Sequence, residues 1–160
     1  MLFRSRKQCL YTFTGYDAWL ANYSGFVKLW GVLRDVGQTE RMRPTGLALS
    51  MLNQAIAGDL MQVNNQSAAQ ASLYAFRNKS AWSLAAVSTS PTEQMITVSF
   101  PNGATPPTAL SSLNATAPTT TNEAAANVQI TRETLTANGA TITFRLPAYG
   151  LVAVVAKEKK

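Results

Sequence analysis

The apolar residues of this chain change their spacing once, and that change limits what the chain can fold into. Across RPTGLALSMLNQAIAGDL, residues 43–60, Leu47, Ala48, Met51, Leu52, Ala55 and Ile56 recur at helical intervals and form one stripe. Pro44 suits a first helical turn, where its missing N–H costs nothing. Gly58 is placed to end the helix in a left-handed conformation. A helix is therefore expected over about 44–57. Before it the chain is mixed and aromatic; after it come short segments rich in Thr, Ser, Ala and Val. The helix is a joint between two kinds of structure.

Beyond the joint the spacing becomes two. Residues 59–70 form a polar connection with an Asn-Asn-Gln-Ser centre. In 72–78 Leu73 and Ala75 alternate with Tyr74 and Phe76, and in 81–89 Trp82, Leu84, Ala86 and Ser88 share a face. Residues 95–100 (MITVSF) end at Pro101-Asn102-Gly103. Leu110 and Leu113 mark a short strand inside the Pro-rich stretch 104–121. Residues 127–136 alternate over Val128, Ile130, Arg132 and Thr134. Asn138-Gly139 is a hairpin signal that predicts 140–146 pairing back on 127–136. Residues 149–156 (YGLVAVVA) are apolar on both faces, as a central strand requires. Six to eight short strands with turns about every ten residues predict an antiparallel β-sandwich over 70–156.

Composition removes several functions. The chain has 160 residues, one cysteine and no histidine. An internal disulfide, a Ser-His-Asp triad, a Cys-His pair and a His-based zinc site are excluded within it. Neither a metal nor another cofactor is expected. The net charge is +6. It follows no basic stripe interleaved with aromatics, so nucleic acid is not an expected partner. Residues 8–30 are apolar, but Asp17, Asn22 and Lys28 interrupt any window long enough to span a bilayer, so no membrane role is expected.

Residues 26–33 (FVKLWGVL) read as a buried strand, followed by the polar loop RDVGQTERMR and the helix. Strand, loop and helix make one βα unit. Such a unit cannot bury itself, so it packs on the following domain or its partners are missing.

The order of these motifs resembles a known family. A strand ending Trp-Gly precedes a Pro-Thr-x-x-Ala-Leu-x-x-x-Asn helix with Gly-Asp soon after. Then come a Tyr-Ala-Phe strand, a Trp-Ser-Leu-Ala-x-Val strand and a terminal Leu-Pro-Ala-Tyr-Gly segment. Together, over about residues 25–156, this resembles the C-terminal part of retaining glycoside hydrolases that join a (β/α)8 barrel to a β-sandwich. The arabinofuranosidase-like and heparanase-like glucuronidase groups are the nearest in pattern.

The resemblance implies a mainly β chain: an antiparallel β-sandwich preceded by the terminal βα unit of a truncated barrel. Residues 1–60 would be the barrel remnant, with its last strand at about 26–33 and last helix at about 44–57. Residues 70–156 would be the accessory sandwich. The two catalytic glutamates of such enzymes lie on earlier strands, so this chain begins after both and no catalytic residue is expected. Retaining hydrolysis needs two carboxyl groups about 5 Å apart. Asp17, Asp35 and Glu40, the acids before the helix, offer no such pair. The implied partners are the chain's own missing barrel and the parent's carbohydrate substrate, a plant or bacterial polysaccharide. An exported parent is the corresponding expectation.

Three aromatics carry specific expectations. Trp30, near the end of the proposed last barrel strand, stands where barrel enzymes place substrate-facing groups, and is either a sugar-stacking indole or a core residue. Trp82 is expected in the sandwich core. Tyr149, before Gly150, is expected to anchor a turn. Two other readings are a carbohydrate-binding module, which would need Tyr74, Phe76 and Trp82 exposed in a row, and a self-contained structural domain.

Overall fold

A computed structural model describes residues 41–64 and 70–156. Helix α1 spans Pro44–Ala55. Eight strands follow: β1 Asp59–Met61, β2 Ala71–Asn78, β3 Ala81–Ser88, β4 Gln94–Ser99, β5 Ala109–Leu113, β6 Ile130–Thr134, β7 Thr141–Leu146 and β8 Leu151–Val155. The proposed barrel strand 26–33, Trp30 and the acids Asp17, Asp35 and Glu40 lie outside the described residues.

The strands form two antiparallel sheets. One is six-stranded in the order β1-β2-β3-β8-β5-β6, and the other pairs β4 with β7. The expected antiparallel, mainly β architecture is therefore present. β8 sits between β3 and β5, with Leu151 opposite both Val87 and Leu113. Leu151 to Val154 are all buried, which explains a strand apolar on both faces.

Alternation along the central strands separates two cores. Trp82, Leu84, Ala86, Val152 and Val154 point toward the small sheet and pack with Phe100, Ile142, Phe144 and Leu146. Ala85, Leu113, Leu151 and Ala153 point the other way and meet Met51 and Ala55 of α1. The stripe that marks α1 in the sequence is therefore covered by the six-stranded sheet. Ile56, at the end of that stripe, is exposed.

Glycine is required at one junction. Gly58 has φ +84°, and a Cβ there would lie 2.2 Å from the Arg77 carbonyl oxygen. Only glycine combines that backbone conformation with so close an approach. It turns the chain from α1 into β1, the edge strand that pairs Leu60 with Phe76. The sequence had suggested only a polar connection there.

The hairpin expectation at Asn138-Gly139 is corrected. The turn exists: Asn138 bridges to Thr141, and Gly139 has φ +58°. It does not join paired strands. β7 pairs with β4, setting Ile96 opposite Phe144, while β6 pairs with β5, setting Ile130 opposite Leu113. The reason lies in the side chains. β7 buries Ile142, Phe144 and Leu146 on one face, whereas β6, ITRET, carries a single apolar residue and is largely exposed. Among the described strands β6 lies at the large sheet's edge, and the turn carries the chain across to the small sheet.

Candidate functional site

The polar residues held most closely within the fold gather where the chain approaches α1. Arg43 is the N-cap residue, extended at φ −71° and ψ 158°, and its carbonyl accepts the Leu47 N–H at 3.1 Å. Its side chain turns inward and is buried. Arg43 Nε donates to Glu123 Oε1 at 2.6 Å and Nη2 donates to Oε2 at 3.3 Å. Two parallel donors on one carboxylate fix direction as well as charge.

The neighbouring residues complete a clamp. Arg41 Nη1 donates to the carbonyls of Asn122 at 3.3 Å and Glu123 at 3.1 Å. Asn122 is buried, and its Nδ2 donates to Met42 O at 3.0 Å and Val128 O at 2.8 Å. Its Oδ1 accepts the Val128 N–H at 2.8 Å. The β5–β6 loop is thereby tied to residues 41–43. None of these four residues stood out as a site in the sequence. The available signal was that Glu123 is the single acidic residue between Glu93 and Glu133, opposite an Arg-Met-Arg-Pro approach to a helix.

The far end of α1 is also fixed. Ser83, buried on β3, donates its hydroxyl to Ala55 O at 2.6 Å. Carbonyls in a helix's last turn lack intrahelical donors; this one accepts from the serine and from the Ala57 N–H at 2.9 Å.

Among the described residues, carboxylate chemistry finds no pair. Asp59 is on β1 and Glu133 on β6, the opposite edges of the six-stranded sheet. Five inter-strand spacings separate them, roughly 24 Å. Glu123 is engaged by Arg43, and Glu93 lies 3.9 Å from Arg145. Among the described residues, no group of three His, Cys, Asp or Glu side chains gathers to hold a metal. Among them also, no helix is long and apolar enough to cross a membrane.

Tyr74, Phe76 and Trp82 do not form an exposed row. Trp82 is buried on the small-sheet side, edge-on to Phe100 with centroids 5.6 Å apart and planes at 70°. The Arg77 guanidinium covers its ring at 5.5 Å. Phe76 is buried on the α1 side, and Tyr74 shares that side but is exposed. Trp82 is the core residue the sequence suggested. Tyr149 does hold a turn: it has φ +49°, and its N–H donates to Ser90 O at 2.9 Å. Beside α1, Ile56, Leu60, Tyr74 and Val87 leave apolar surface exposed.

No family model matches the sequence, and no curated protein matches it. Solved structures do match the fold. A structure described as an arabinofuranosidase superposes with a TM-score of 0.62 at 12% identity, over 79% of this chain and 31% of that one. A glycoside hydrolase family 30 subfamily 8 xylanase from Clostridium acetobutylicum gives 0.57 at 12% identity, over 79% and 30%. A GH51 arabinofuranosidase from Xanthomonas axonopodis pv. citri gives 0.57 at 14% identity, over 71% and 26%. This chain spans less than a third of each. At these identities the likeness is one of fold: the chain is similar to a portion of glycoside hydrolase structures.

Proposed function

We propose that this chain is the C-terminal end of a glycoside hydrolase, an accessory β-sandwich that steadies a catalytic (β/α)8 barrel and does no chemistry alone. In this reading α1 is the last barrel helix, and the barrel precedes it. Trp30 would end the last barrel strand and face the carbohydrate. The substrate would be a plant or bacterial polysaccharide.

The observation that carries the proposal is the fastening of α1 at both ends, by Arg43–Glu123 and by Ser83–Ala55. A barrel that owns this helix is joined to the sandwich through the ion pair of a buried arginine and a shared core, without a flexible linker. The fold likeness to arabinofuranosidases and xylanases supports it. So does the apolar surface at Ile56, Leu60, Tyr74 and Val87, which a barrel would cover.

The decisive test is the DNA immediately upstream of codon 1 in the source. The expected result is an in-frame barrel with two strand-end glutamates. An in-frame stop with no barrel overturns the proposal. The pure chain is expected to turn over no aryl arabinofuranoside, xyloside or glucuronide. Turnover abolished by changing one of its own acids would overturn the non-catalytic assignment.

A further inference from the structure

Two of the chain's asparagines, Asn102 and Asn138, are followed by glycine, and both stand in the same tripeptide, Asn-Gly-Ala. The fold brings the two to one end of the small sheet. Ser99, the last residue of β4, lies opposite Thr141, the first of β7, and the Phe100 N–H donates to Ala140 O at 2.8 Å. Asn102-Gly103 turns the chain away from β4, and Asn138-Gly139 turns it into β7. With the local sequence shared, the two turns differ in how they are hydrogen-bonded.

Residues 101–104 are closed by one backbone bond, from the Ala104 N–H to Pro101 O at 3.0 Å. That bond uses the peptide units on either side of Asn102–Gly103 and spares the unit between them. The central peptide can therefore rotate while the turn stays closed. Residues 138–141 are closed differently. The Asn138 N–H donates to Thr141 O at 2.8 Å, and the Asn138 carbonyl itself accepts the Thr141 N–H at 3.1 Å. Rotating the Asn138–Gly139 peptide breaks that second bond. Space does not separate the two sites. Gly103 and Gly139 both have positive φ, +79° and +58°, and among the described residues a Cβ on either would meet nothing within 4 Å.

We propose that Asn102 is a self-modifying site, at which the chain converts its own asparagine to aspartate and isoaspartate, and that the fold protects Asn138 from the same reaction. The Gly103 nitrogen attacks Cγ of Asn102. The new N–Cγ bond closes a five-membered imide, the Cγ–Nδ2 bond breaks, and the amide nitrogen leaves as ammonia with the proton from the Gly103 N–H. Water then adds to one of the two imide carbonyl carbons. Opening one way gives aspartate; opening the other way gives isoaspartate, with the main chain rerouted through Cγ. Glycine admits this attack because no Cβ crowds its nitrogen. The ring closes only if the Asn–Gly peptide turns its nitrogen toward the side chain, the rotation that the first turn allows and the second resists. Either product carries a carboxylate, so the net charge falls by one from +6. Isoaspartate also lengthens the main chain between β4 and β5. The step takes no partner but water and does not depend on the hydrolase reading.

The test holds the full chain in warm, mildly alkaline buffer and follows both turns by peptide mapping. Chromatography with mass spectrometry separates the asparagine, aspartate and isoaspartate forms of each peptide. Conversion at Asn102 should run about fivefold ahead of conversion at Asn138, the factor that one net hydrogen bond is worth. In concentrated urea both turns are open, and the two rates should converge because the tripeptides are the same. Equal rates in the folded chain, or a faster Asn138, overturn the proposal. So does a lead for Asn102 that urea leaves unchanged, since the cause would then be local sequence rather than the turn. Conversion at Asn102 no faster than at asparagines not followed by glycine overturns it as well.

Discussion

Arg43 and Glu123 are eighty positions apart in sequence, yet the Arg43 Nε lies 2.6 Å from the Glu123 Oε1 with the arginine side chain 2% exposed. A charge this deeply withdrawn from water holds its place through its partners. Removing the carboxylate leaves the buried guanidinium without the Glu123 charge. Glu123→Ala should destabilise the fold by about 3 kcal/mol, and Glu123→Gln by less because it keeps an acceptor. Urea unfolding followed by circular dichroism measures both. A loss under about 0.5 kcal/mol, the range of ordinary surface positions, would show that the pair does not hold the helix.

Ser83 makes a smaller but more local contribution. Ser83→Ala removes one of the two donors to Ala55 O and leaves it the Ala57 N–H, which donates at 2.9 Å. The expected cost is about 1 kcal/mol, the net worth of one hydrogen bond. Hydrogen exchange should show the effect concentrated at the C-terminal turn of α1. Uniform loosening across all eight strands would argue that the serine acts through packing instead.

Gly58 and Gly139 separate two uses of glycine. Both have positive φ, but a Cβ at Gly139 meets nothing within 4 Å while one at Gly58 meets the β2 backbone at 2.2 Å. Gly139→Ala should therefore cost about 1 kcal/mol, the conformational term alone. Gly58→Ala should cost well above that, because β1 must leave β2 or the backbone must shift. Equal midpoints for the two variants in denaturant would contradict the geometry.

Helix α1 should define where the stable unit begins. A chain shortened to residues 41–160 keeps the buried pair and the Met51–Ala55 contact with the sheet. One shortened to residues 70–160 uncovers Phe76, Ala85, Leu113, Leu151 and Ala153. At about 25 cal/mol per Å2 of apolar surface, that exposure forfeits several kcal/mol, a large part of a small domain's stability. Thermal melting of the two chains compares them directly. Equal melting temperatures would mean that α1 contributes nothing to the sandwich.

The parts of this fold that were legible in sequence are those fixed by short-range spacing. LVAVV is apolar at every position, and only a strand covered on both faces accommodates that, as β8 is. The stripe of α1 and the alternation of Trp82, Leu84 and Ala86 are equally local signals. Partner choice is not local. Asn138-Gly139 signalled a turn and made one, but the pairing was decided by where Ile142, Phe144 and Leu146 find an apolar surface, which β6 cannot supply. The three residues of β1 are too few to carry an alternation. The clamp was invisible because Asn122 and Glu123 sit in a Thr- and Ala-rich loop with no spacing that links them to Arg41 and Arg43.

The sheet order β1-β2-β3-β8-β5-β6 has a consequence for the moment at which this protein becomes a protein. During synthesis the first three strands can pair as they emerge, and β5 can pair with β6, but among the described strands only β8 joins the two groups. Leu84 and Val87 on one side, and Leu110 and Leu113 on the other, wait for the same five residues. Those residues are made after all the others in the sheet. Until Leu151–Val155 leaves the ribosome, the nascent chain presents two half-sheets with open inner edges, the kind of surface that chaperones hold and that aggregates recruit. The strand that reads as most hydrophobic is thus also the one that ends the chain's most vulnerable interval.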